Sequence, residues 1–180
     1  AKSHDKKIRS FSSDELNAKK SNSKCVEAIL VSLGIENISF DQIYNLSKDV
    51  VVPSRTEQGY NSKGVLIIDD TYNANPDSFK EAFRVLDSTD KENKICVIGD
   101  MKELGTDFQQ EMKKIIDEAC ERFDYVFLFN SKFELSKENV VKINIANAEE
   151  KIGSLLSKNT AILFKASRSV KIEDCMNIFK

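Results

Sequence analysis

From Val65 onward the chain alternates short, wholly apolar runs with amphipathic stretches, and this alternation restricts the fold more than any other feature. The runs are VLII (65–68), ICVI (95–98), YVFLF (125–129), VVKINI (140–145) and AILF (161–164). A strand with one wet face alternates polar and apolar residues, so a run apolar at every position belongs to a strand covered on both faces. Phe79, Ala82, Phe83 and Leu86 form one helical stripe between runs, and Phe108, Met112, Ile115, Ile116 and Ala119 form another. Ile152, Leu155 and Leu156 mark a third, and Ile172, Cys175, Met176 and Phe179 close the chain. Strands and helices in alternation predict right-handed crossovers and an α/β fold, a doubly wound, mostly parallel, Rossmann-like sheet.

Upstream the pattern differs. Residues 1–23 are polar and rich in Ser, Lys and Asn, and no firm structure is expected there. Val26, Ile29, Leu30 and Leu33 share one helical face, with Gly34 at the C′ position, and Phe40, Ile43 and Tyr44 predict a shorter helix. Val50 to Gly64 reads as an extended connection with a turn near Asn61 and is the best domain boundary. The expected division is 1–62, a polar leader and a short helical part, and 63–180, the sheet domain.

The first 24 residues carry seven Lys or Arg against three acids, although the whole chain has a net charge of −2. This basic stretch contains one aromatic residue, Phe11, and no nucleic-acid motif, so no nucleic-acid partner is expected. No apolar run approaches the ~20 residues of a membrane span, and no signal peptide is visible, so no membrane partner and a cytoplasmic location are expected. Cys25, Cys96, Cys120 and Cys175 are widely spaced, and His4 is the lone histidine. The cysteines therefore read as reduced core thiols, with no metal site.

In an open α/β sheet the ligand edge lies beyond the strand C-termini. The first run ends in Asp69 and Asp70, followed by the turn Thr71-Tyr72-Asn73-Ala74-Asn75 and a helix opening at Pro76. The second ends at Gly99-Asp100, the third at Asn130-Ser131-Lys132, and the last at Lys165-Ala166-Ser167-Arg168-Ser169. Such a rim suits a polar, charged ligand such as a nucleotide or phosphate. Asn75 also fits a helix N-cap with Pro76 at N1, and Asp70 a strand-end turn, but Asp69, Asp70, Asn73 and Asn75 together exceed what a turn needs. Lys165, Ser167 and Arg168 suit either an anion or a helix cap. The chain has no G-x-x-x-x-G-K-[ST] phosphate loop, no G-x-G-x-x-G and no histidine for a Ser-His-Asp triad.

Three segments in order, DDTYNANPDS (69–78), VIGDMKELG (97–105) and LFKASRS (163–169), resemble the C-terminal portion of the Mur ligases. They are most similar to the branch that handles D-alanyl-D-alanine. Lys19 to Ile35 resembles the family's HN-x-x-N-A helix at the end of its central ATP-binding domain. Asn22 matches the first asparagine, Ser21 stands for the histidine, and Cys25 for the second asparagine. Val51 to Arg55 resembles the family's P-G-R with Ser54 for glycine, and Ala166 stands where glycine is usual.

The resemblance implies an ATP-dependent carbon–nitrogen ligase of peptidoglycan precursor synthesis. ATP phosphorylates the terminal carboxylate of UDP-N-acetylmuramoyl-tripeptide, and the amine of D-alanyl-D-alanine attacks the acyl phosphate, releasing phosphate beside ADP. It further implies that Asp70, Arg55 and Asn22 contact ATP, with Asp70 on the ribose hydroxyls. Tyr72, Asn73, Asn75, Lys165, Ser167 and Arg168 would contact the dipeptide or the UDP-peptide. The phosphate loop and Mg²⁺ ligands would sit in the central domain and the UDP site in an N-terminal one. This chain would hold the end of the central domain and the whole C-terminal domain. It carries no catalytic residue of its own on this reading and would be inactive alone. The rival reading is a degenerate, non-catalytic module that keeps a nucleotide or partner site. A folylpolyglutamate synthetase and a receiver-like domain fit less well.

Overall fold

A computed structural model describes residues 18–35, 37–48, 53–102, 104–134, 137 and 139–180. The leader over 1–17, the start of the connection at 50–52 and Glu103 lie outside the described residues. The chain divides into two compact units, Ala1–Val52 and Pro53–Lys180.

In the first unit, α1 (Ala18–Ser32) and α2 (Phe40–Lys48) form the two expected helices. Helix α1 begins inside the stretch expected to lack structure. Ala18, Lys19 and Lys20 are good helix formers, and that propensity carries the helix N-terminally past the apolar stripe. It ends as Gly34 predicted. Gly34 has φ +80°, its N–H donates to Val31 O, and Ile35 N–H reaches back to Leu30 O at 2.9 Å. Helix α2 starts with a reciprocal cap, Ser39 N–H to Gln42 Oε1 and Gln42 N–H to Ser39 Oγ.

The second unit is a six-stranded sheet. Its strands are β1 (Glu57–Tyr60), β2 (Leu66–Asp70), β3 (Asn93–Ile98), β4 (Tyr125–Phe129), β5 (Val140–Ile143) and β6 (Thr160–Lys165). Their order is β1-β2-β6-β3-β4-β5, with β1 antiparallel and all other pairs parallel. The α/β doubly wound reading holds. Strand β1 lies inside the stretch read as a connection; its residues, EQGY, are all exposed, so no apolar alternation announced it. The fourth run is shorter than its composition implied, ending at Ile143 before the turn at Asn144.

Helices α3 (Pro76–Asp87) and α4 (Phe108–Arg122) cover one face of the sheet. Phe79, Phe83, Leu86, Met112 and Ile116 pack there against Ile68, Ile98 and Leu163. The other face is covered by α5 (Ala148–Ile152), α6 (Ile172–Met176) and the segment after it, through Ile152, Ile172 and Phe179 packed on Val97, Ile162 and Phe164. Strand β6 is buried along its whole length, and β2 and β3 flank it. The chain moves outward from β3 to β5 and returns to insert β6, which puts the topological switch point at the C-terminal ends of β2, β6 and β3.

Cys96 and Cys175 are buried, whereas Cys25 and Cys120 are only half-buried; all four are unpaired. Burial pushes the Cys175 thiol up to about 12 and raises that of Cys96 as well, which keeps both as inert thiols. No described helix is long and apolar enough to cross a membrane.

Candidate functional site

Strand register brings the key pair together. Asp70 and Lys165 are direct partners on the adjacent parallel strands β2 and β6, and Ile98 is the partner of Lys165 on β3. Lys165 is completely buried. Its Nζ donates to Asp70 Oδ2 at 2.5 Å and to the Asn73 carbonyl at 2.9 Å, and lies 5.3 Å from the centre of the Phe79 ring. Burial pulls the ammonium below its ordinary pKa, Asp70 pulls it back up, and the nearby Arg55 charge lowers it again. The second oxygen of Asp70, Oδ1, accepts the Thr56 N–H at 3.1 Å.

The segment before β1 reaches this spot through unusual backbone. Ser54 has φ +59° and Thr56 φ +49°, left-handed conformations that cost a side-chain-bearing residue on the order of 1 kcal/mol each. The glycine usual at position 54 in the resembled family would adopt this conformation freely. Ser54 O in turn accepts the Tyr72 N–H at 3.0 Å. The Arg55 guanidinium sits 4.4 Å from the centre of the Tyr72 ring, and that of Arg168 sits 5.5 Å from the same ring. Both arginines and Tyr72 are exposed. Among the described residues neither arginine is in an ion pair. Two guanidinium groups converging on one ring without a carboxylate between them leave an unbalanced positive edge beside Asp70, suited to a phosphate or carboxylate.

The four polar groups of the 69–75 segment do not act together. Strand alternation sends Asp69 and Asp70 to opposite faces. Asp69 Oδ1 accepts the Thr71 N–H and hydroxyl at 3.2 and 2.8 Å, and its Oδ2 lies 3.6 Å from Lys180 Nζ. A cleft of about 290 Å³, lined in part by Tyr60, Ile67, Asp69 and Lys180, opens on that side. Asn75 is the N-cap of α3, in a capping box with Ser78 at 2.8 and 3.0 Å, and Pro76 follows at N1. Its placement is the structural alternative that the sequence offered. Asn73 contributes its carbonyl to Lys165.

Ser167 is also turned to internal work. Its hydroxyl accepts the Lys102 N–H at 2.9 Å, and its N–H donates to the Asp100 carbonyl at 3.1 Å. Asp100 is fully buried and joins three strand ends. Its carboxylate accepts the Ser131 hydroxyl, the Lys132 N–H at 3.1 Å and the Lys102 ammonium at 3.2 Å. Gly99 permits this closeness, since a Cβ there would lie 2.6 Å from Ala166 Cβ and 2.9 Å from Val170 Cγ1. Asn22 lies exposed on α1, in the other unit.

The structure thus gathers Asp70, Arg55, Tyr72, Asn73, Lys165 and Arg168 at the switch point, and uses Asn75 and Ser167 to hold the loops. Sequence reasoning missed Thr56 and Phe79 as members. Thr56 contributes only its backbone N–H, which no side-chain pattern reports. Phe79 was readable only as part of a core stripe. Among the described residues no group of three or more His, Cys, Asp or Glu is placed to hold a metal ion.

A model of the family "Mur ligase, glutamate ligase domain" matches residues 54–175. The UDP-N-acetylmuramoyl-tripeptide–D-alanyl-D-alanine ligase of Bacillus subtilis (strain 168) is 32% identical over 148 residues, covering 74% of this chain and 32% of that protein. The enzyme of the same name from Rickettsia prowazekii (strain Madrid E) is 30% identical over 122 residues, 63% of this chain and 27% of that one. The chain therefore spans about a third of the length of the curated relatives it matches. Among solved structures, MurF ligase from Thermotoga maritima in complex with ADP superposes with a TM-score of 0.66 at 31% identity, covering 84% of this chain and 35% of that one. MurF from Acinetobacter baumannii, at 24% identity and a TM-score of 0.70 over 88% of this chain and 36% of that one, shares the fold.

Proposed function

Because the chain belongs to the Mur ligase family, matching its glutamate ligase domain, we propose that it is the C-terminal part of a MurF-type, ATP-dependent ligase. The whole enzyme would join D-alanyl-D-alanine to UDP-N-acetylmuramoyl-tripeptide in the cytoplasm. The observation that carries the reading is the switch-point cluster, where one buried-edge carboxylate, Asp70, stands beside two guanidinium groups that make no ion pair among the described residues. A ribose offers two O–H donors, and each carboxylate oxygen of Asp70 keeps a free lone pair after bonding Lys165 and Thr56. Arg55 and Arg168 supply the opposite charge next to it, where the polyphosphate or the forming acyl phosphate carries its negative charge. Tyr72, whose ring both guanidinium groups approach, would separate the nucleotide from the dipeptide.

The chemistry assigned to the whole enzyme is phosphorylation of the peptide carboxylate by ATP, then attack of the dipeptide amine with loss of phosphate. The groups described here bind and orient. The ligands of the Mg²⁺ that accompanies ATP would lie in the central domain. The phosphate loop would be contributed by another domain, and we propose that this chain alone does not turn over.

Calorimetric titration of ATP with Mg²⁺ into the 180-residue chain tests the nucleotide reading, with Asp70→Asn as the control. Asparagine keeps an acceptor for Lys165 and loses the charge. Weak binding that falls about ten-fold or more in Asp70→Asn is expected, the size of a charge-assisted hydrogen bond. Binding that is identical in both proteins would remove Asp70 from the nucleotide site.

A further inference from the structure

We propose that Lys165 is a positioning residue: it holds the Asp70 carboxylate and the 71–75 loop in the orientation that receives a nucleotide, and touches no ligand itself. The inference rests on the nucleotide reading of Asp70. The resemblance had given Lys165 to the dipeptide or the peptide tail. Yet its side chain is the most enclosed of the rim's cations, fully buried where Arg55, Lys102, Lys132 and Arg168 are exposed. An ammonium has three N–H donors. One goes to Asp70 Oδ2 and one to the Asn73 carbonyl, and the group also lies over the Phe79 ring. Little remains to offer a substrate.

The two acceptors explain what Lys165 does. Asp70 is the last residue of β2, and Asn73 lies in the turn that leads to α3. One buried cation therefore ties the strand end to the turn that carries Tyr72. Because Lys165 pairs in register with Asp70 on one side and Ile98 on the other, its backbone is fixed by both neighbouring strands. The carboxylate is held from the rear by Lys165 and from the side by the Thr56 N–H, leaving its remaining lone pairs for incoming hydroxyls.

The test compares the 180-residue chain with Lys165→Met, Asp70→Asn and the double variant, titrating ATP and 2′,3′-dideoxy-ATP with Mg²⁺. Methionine keeps the length of the stem without the charge, and near-ultraviolet circular dichroism verifies the fold of each variant. Lys165→Met is expected to weaken ATP about ten-fold and to abolish the preference for ATP over the dideoxy analogue. The double variant is expected to bind no worse than the weaker single one, because both changes break one contact. A loss in the double variant that multiplies the two single losses would mean that Lys165 meets the ligand directly and would overturn the proposal. So would wild-type affinity in Lys165→Met beside a defective Asp70→Asn. An unaltered Asp70→Asn, or a chain that takes up no ATP, would instead overturn the nucleotide reading and this proposal with it. A second measurement needs no Lys165 variant: the ¹⁵N resonance of the Lys165 ammonium. Slow proton exchange, lost in Asp70→Asn, is expected; exchange as fast as that of surface lysines would contradict the buried bridge.

Discussion

Asp70→Ala is expected to lower the unfolding free energy by about 3–5 kcal/mol, the cost of stranding one member of a buried ion pair. The side chains of Lys165 and Asp70 are 1% and 11% exposed, so water cannot replace the lost carboxylate. The loss will depend on pH in a stated direction. Burial already holds the folded-state pKa of Lys165 below its ordinary value, and Asp70 is the group that opposes this. Removing Asp70 lowers it further. Between the folded value and the unfolded value of ~10.4 the unfolded chain binds more protons, so stability rises with pH through that window. The deficit of Asp70→Ala relative to the unmutated chain should therefore shrink as the pH is raised from neutrality toward ~10. Adding Lys165→Met to Asp70→Ala should recover part of the stability at neutral pH. Urea denaturation at several pH values reads all three results, and a deficit that is constant with pH would contradict the buried charge.

Phe83→Ala is expected to cost about 3–5 kcal/mol, typical of a large aromatic truncated in a packed core. Phe83 is fully buried on α3, with its ring centre 5.7 Å from that of Phe79 and 5.2 Å from that of Phe123. It joins α3 to the residue that follows α4, so the truncation leaves a void that backbone movement cannot close. Phe79 is the neighbour of Lys165, and the same variant should disturb the switch point through it. A loss below about 1.5 kcal/mol in chemical denaturation would mean that this face repacks far more freely than its interlocked rings imply.

Most of the fold was legible because burial on both faces writes itself into a sequence. The apolar runs at 65–68, 95–98, 125–129 and 161–164 reappear as the buried stretches of β2, β3, β4 and β6, and the stripe Phe79, Ala82, Phe83, Leu86 reappears as the buried face of α3. Strand β1 was not legible. It is an exposed edge strand whose pairing with β2 comes from backbone hydrogen bonds that its composition does not report. The site was legible in its position, at the acid-rich end of the first run, but only partly in its membership. The sequence could not tell that Asp69 and Asp70 diverge, one bonded to Thr71 and the other to Lys165. The partnership of Lys165 joins residues 95 positions apart and depends on strand order, which the sequence left open. Ser167 and Asn75 matched motif positions, and the hydrogen bonds they make are internal.

On the proposed function, Asp70 faces the ribose of a bound nucleotide. The most direct measurement is the ratio of dissociation constants for 2′,3′-dideoxy-ATP and ATP, taken on the unmutated chain and on Asp70→Asn. A ratio of about ten or more that collapses to about one in Asp70→Asn is the predicted result, since the discriminating hydroxyls would then have lost their charged acceptor. Equal affinity for the two nucleotides in the unmutated chain would contradict the assignment and leave the switch-point cluster without its nucleotide.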